Sequence, residues 1–97
     1  KGLEFDAVVA TDDGMAVGAV KYARKKGLSV PEDVNIIGFN NSELAVCCEP
    51  ELSSIDSRSE VLWKTAVDSM MMALSGHPVR HKKIIPCCFI KRRTTDF

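Results

Sequence analysis

Residues 5–39 read FDAVVATDDGMAVGAVKYARKKGLSVPEDVNIIGF, and the fold is decided in this stretch. Residues 5–11, Asp6 apart, are apolar or β-branched at both parities. A strand apolar on both faces is buried on both faces, as in a parallel sheet between helices. Asp12, Asp13 and Gly14 stop it, and Asp13 is expected to cap a helix running to about residue 26. Ala16, Ala19, Val20 and Ala23 form the inner stripe of that helix, while Lys21, Arg24 and Lys25 face water. Basic residues in the last turns suit the negative end of the helix dipole, and Gly27 is placed to close it. A turn with a Val30-Pro31 step leads into residues 34–39, a second buried strand. Strand, helix, strand in this order is a βαβ unit, with parallel strands and a right-handed crossover.

Outward from this unit the pattern continues. Residues 40–43 end the second strand, and a short apolar stretch, 44–48, leads to Glu49-Pro50-Glu51. Residues 52–55 predict a short third strand. Ser57 or Ser59 is expected to cap a helix from about residue 60 to 75, closed by Gly76 and Pro78. Val61, Leu62, Ala66, Met70, Ala73 and Leu74 form its apolar set, with Trp63, Val67, Met71 and Met72 besides. That set is too broad for one face, so the helix is expected to cover a second surface. Residues 84–90 predict one or two strands broken at Pro86. The fold class is therefore α/β, a parallel sheet flanked by helices.

Composition narrows the function. The 97 residues are 45% apolar and 27% charged, which excludes a disordered tail or low-complexity linker. No charge-free run approaches the roughly 18 residues of a membrane-spanning helix. The chain starts at Lys1 with no leader pattern and reads as a fragment of a longer protein. Net charge is zero but uneven: residues 1–76 carry −5 and residues 77–97 carry +5. The basic end flanks the apolar run 84–90, and reads as strand ends protruding into water rather than as a nucleic-acid surface. The cysteines form two vicinal pairs, Cys47-Cys48 and Cys87-Cys88, which lack the spacing of a zinc site. They are expected to be buried, reduced thiols.

Ligands of open parallel sheets bind beyond the carboxyl ends of the strands. Three polar clusters fall there: Thr11-Asp12-Asp13, Asn40-Asn41-Ser42 and Asp56-Ser57-Arg58. Carboxylates and amides in pairs suit adjacent hydroxyls of a small polar ligand. Asp13 would be engaged by its helix cap, and the asparagines also suit a plain turn. No glycine-rich phosphate loop or nucleophile elbow is present, and His77 and His81 read as solvated.

Residues 5–18, FDAVVATDDGMAVG, resemble the "pDAifaaNDxmAlG" segment of the lactose-repressor/galactose-repressor (LacI/GalR) family of bacterial transcription regulators. Residues 27–45, GLSVPEDVNIIGFNNSELA, resemble its "GlrVPeDisvvGfDdxxxa". PELSSID at 50–56 is similar to "PpLTTvxq", and IKRRTT at 90–95 to "lvxRxST". The resemblance spans nearly the whole chain in order and spacing.

It implies a type I periplasmic-binding-protein-like fold of two lobes with an effector between them, and no enzyme and no cofactor. Residues 1–56 and 87–97 would belong to the C-terminal lobe, and 57–86 would cross into the N-terminal lobe. The DNA-binding helix-turn-helix would lie outside this chain. Asp12, Asn40 and Ser57 are the implied effector contacts, with Asn41 and Arg58 as further ligand or lobe contacts. The sequence departs from the family at each: Asp12 replaces Asn, Asn40 replaces Asp and Ser57 replaces Gln. The implied partners are a sugar or sugar phosphate, a second copy of the chain, and operator DNA through the absent domain. The implied location is the cytoplasm, with no membrane contact. The alternative is a periplasmic sugar-binding protein of the same fold. More remote is a receiver- or flavodoxin-like domain using Asp12 and Asp13 on a metal.

Overall fold

A computed structural model describes residues 2–97. Strands β1 (Ala7–Val9), β2 (Asn35–Phe39), β3 (Ser53–Asp56) and β4 (Cys88–Ile90) form one sheet in the order β1-β2-β3-β4. Helix α1 (Asp13–Lys25) crosses from β1 to β2, α2 (Glu43–Cys47) from β2 to β3, and α3 (Ser59–Leu74) follows β3. The first three strands are parallel, with Val8 opposite Ile36 and Ile37 opposite Ser53. The last is antiparallel, with Ile55 opposite Phe89. The sheet is thus mixed, and residues 84–87 lie outside it.

The core forms where α1 lies on the sheet. Ala16, Val20 and Ala23 of the expected stripe are buried against Val34, Ile36 and Leu52, with Ala45 of α2. The two alanines let the helix approach closely. On β1 the opposite face is open: Val9 is 73% exposed, so this strand is not buried on both sides as its composition suggests. Thr94 closes the sheet at the base of β2 and β3. It is fully buried, its Oγ1 donates to Ile36 O at 2.6 Å, and it accepts from Ser53 N at 2.8 Å.

The helix ends divide by how local their signals are. At the end of α1, Gly27 takes φ +74° while Leu28 N donates to Ala23 O and Gly27 N to Arg24 O. This is the Schellman closure that only an unhindered backbone makes cheaply. At its start the cap is Asp12, not Asp13: Asp12 Oδ1 accepts from Met15 N at 2.7 Å. Asp13 is instead the first helical residue and is buried. Helix α3 begins after Arg58, which sits at the cap position with φ +55° and makes no side-chain cap bond, so neither Ser57 nor Ser59 serves there.

None of the sixteen residues of α3 is buried. Leu62, Trp63, Val67, Met70 and Leu74 are all at least half exposed. The helix projects from the sheet, and Lys83 Nζ donates to Ser69 Oγ where the chain comes back along it. The radius of gyration is accordingly 17.7 Å, against about 13 Å for a compact chain of this length. The cysteines also differ from expectation: Cys47, Cys87 and Cys88 are exposed and Cys48 half-buried, and all four are free. They stand at element ends, where no second layer of this chain covers them.

Candidate functional site

The carboxyl ends of β2 and β3 build the site. Asn40 and Asn41 leave β2 with φ of +92° and +49°. Asparagine tolerates this left-handed region because its short amide bonds locally. The turn is held at many points. Asn40 N donates to Ile55 O at 2.8 Å and Asn41 N to Ser54 Oγ at 3.0 Å. Asp13 receives both Ser42 N and Ser42 Oγ on one oxygen and Ser54 Oγ on the other. Next to it the β3 exit makes its own turn, with Arg58 N donating to Asp56 Oδ1 at 2.8 Å.

Between these two turns lies a cavity of about 400 Å³, lined by Asn40, Asn41, Asp56, Arg58, Ser59, Glu60 and Val61. Two amides, two carboxylates, a guanidinium and a hydroxyl converge on it. The first backbone N–H groups of α3 have no intrahelical acceptor, and Arg58 at the cap position makes no side-chain cap bond to them. Such a wall donates and accepts hydrogen bonds in alternation, which matches a small polyhydroxylated molecule. Among the described residues no three metal-ligating side chains cluster.

Of the expected site residues, Asn40, Asn41 and Arg58 line the cavity. Ser57 stands behind it, its Oγ donating to Asn40 Oδ1 at 3.4 Å. Asp12 is exposed at the start of α1, with its Oδ1 on Met15 N, and is not part of the lining. Asp56, which the third polar cluster contains, lines it too, and Val61, Ser59 and Glu60 are additional lining residues. The signal for the last two was the abrupt passage from strand to helix at residues 56–59, which sets the first turn of α3 over the sheet edge.

An open α/β sheet with a polar cavity at its carboxyl edge defines the class. Residues 3–95 match the family model described as a periplasmic binding protein-like domain. The chain is 43% identical, over all 97 of its residues and 29% of the relative, to an HTH-type transcriptional regulator of Lachnoclostridium phytofermentans. It is 30% identical, over 98% of its length and 26% of the relative, to the lactose operon repressor of Escherichia coli. It superposes on the lac repressor dimer bound to operator and the anti-inducer ONPF with a TM-score of 0.87 and 30% identity. That superposition covers 93% of this chain and 32% of the repressor chain. The chain belongs to the periplasmic binding protein-like domains of LacI/GalR-type transcription regulators, and spans under a third of the length of the relatives named here.

Proposed function

We propose that this segment binds a small effector, a sugar or sugar phosphate, in a bacterial DNA-binding regulator. The observation that carries the reading is the polar cavity at the carboxyl ends of β2 and β3. It is open on one side, as a cleft between two lobes requires. In this reading residues 1–56 and 87–97 form most of one lobe and 57–86 cross to the other. The unburied α3 and the strand return at Cys88 support that division. Two copies pair through α1 and residues 45–50, where Met15, Tyr22 and Val46 present apolar surface. Operator DNA is held by a domain outside this chain, the regulator works in the cytoplasm, and it is not an enzyme.

The test is calorimetry on the intact regulator against pentoses, hexoses, disaccharides and their phosphates. Asn40→Ala and Asp12→Ala are each expected to lower affinity roughly tenfold to a hundredfold, the worth of a hydrogen bond to a charged or buried partner, about 1.5–3 kcal/mol. Unchanged affinity in both removes these residues from the site. The Asp12 arm also asks whether closure of the second lobe brings the start of α1 to the ligand.

A further inference from the structure

We infer that Arg92 is a positioning residue for the cavity: it fixes the Asn41 side chain to the strand that returns from residues 57–86. The inference rests on the effector reading above and adds to it a residue outside the expected effector contacts. Arg92 lies two positions beyond the end of β4 and is half-buried. Its Nη2 donates to Asn41 Oδ1 at 2.7 Å. Its Nη1 donates to Leu52 O at 2.8 Å, and its own N–H to Ser53 Oγ at 2.8 Å. One residue therefore spans the exit of β2, the start of β3 and the return strand.

Geometry explains why arginine is needed. The two acceptors lie on different segments, and a planar fork reaches both at once while a single ammonium does not. The backbone of this turn is held by Ile55 O, Ser54 Oγ and Asp13, but among the described residues Arg92 is the partner shown for the Asn41 side chain, which is therefore what the guanidinium sets. Asn40 precedes it directly, also at positive φ, and its own partners are Ile55 O for the N–H and Ser57 Oγ for the amide oxygen, so what Arg92 orients is the Asn41 amide. Any shift of the return strand then reaches the cavity wall through this contact.

The test uses the intact regulator and two readouts. In ligand-free protein, hydrogen exchange at the amides of residues 40–42 is expected to quicken at least tenfold in Arg92→Lys and in Asn41→Ala, with β1 and the core of α1 unchanged. Exchange that stays as in the wild type, or that quickens equally everywhere, overturns the inference. In the second arm, affinity for whichever sugar or sugar phosphate binds the wild type is expected to fall about fivefold to tenfold in each variant. The double variant should fall no further than the worse single one. Full additivity overturns the coupling. If no member of that panel binds the wild type, the effector reading falls, while the exchange arm still decides whether Arg92 holds the loop.

Discussion

The carboxylate of Asp13 lies directly against Gly38. A Cβ at position 38 would collide with Asp13 Oδ1 and come within 2.7 Å of Leu52 Cδ2. The glycine is therefore not a flexible joint but the floor of a slot, and the acid that fills the slot ties α1 to the β2 exit turn at Ser42 and to β3 at Ser54. A buried carboxylate is tolerable only when its lone pairs are used, and three donors use them here. Among the described residues no buried side-chain polar atom lacks a partner.

Gly38→Ala is expected to destabilise the protein by about 1–3 kcal/mol, the usual range for forcing atoms into a packed site. Gly18→Ala is the control. It lies on the open face of α1 with nothing within 4 Å, and should stabilise by up to about 1 kcal/mol through helix propensity. Urea midpoints of the two variants check the contrast, and equal effects would mean that the slot relaxes freely.

The adjacent aspartates should behave unequally. Asp12→Ala removes one exposed cap bond and is expected to lower stability by about 1 kcal/mol. Asp13→Ala leaves Ser42 and Ser54 donors without their acceptor and should lower it by about 1.5–3 kcal/mol or more, with Asp13→Asn recovering part. Thermal melts rank the three variants. A larger loss at Asp12 would place the buried carboxylate at the wrong position.

The isolated 97 residues should not persist as a stable monomer. Each partly exposed Leu, Met or Val on α3 forgoes something like half of the roughly 1.5–3 kcal/mol that full burial is worth. Several such losses approach the whole stability of a small domain, about 5–15 kcal/mol. Sedimentation of the fragment at micromolar concentration is expected to show association or unfolded chain. A compact monomer that unfolds cooperatively would show that α3 needs no partner surface.

The thiols should react in an order set by burial and charge. Burial pushes the Cys48 thiol above its ordinary pKa, and Glu49 adds to the rise. The neutral form of an acid is what such a rise favours, so near pH 7–8 Cys48 holds less reactive thiolate. Brief iodoacetamide treatment of the intact regulator, followed by peptide mass analysis, should find Cys87 and Cys88 labelled first and Cys48 last. Raising the pH to 9 and above should narrow the gap. Cys48 labelled as fast as Cys88 at pH 7.5 would contradict this.

What the sequence determined by itself is everything whose cause is local. The inner stripe at Ala16, Val20 and Ala23 follows from helical periodicity, and the closure at Gly27 from one residue's freedom at positive φ. The parallel βαβ unit follows from strand, helix and strand in that order, and the excess apolar surface of α3 can be counted on the chain. Tertiary structure decided what depends on partners far along the chain. Which of two neighbouring aspartates caps and which is buried turns on Ser42 and Ser54, 29 and 41 residues beyond Asp13. The hold of Arg92 on Asn41 joins residues 51 apart. The direction of β4 and the exposure of Cys87 and Cys88 depend on how α3 carries the chain away from the sheet and back. Periodicity and capping report the nearest few residues. A hydrogen bond between distant segments exists only once packing has brought donor and acceptor within about 3 Å, and no spacing along the chain encodes that distance.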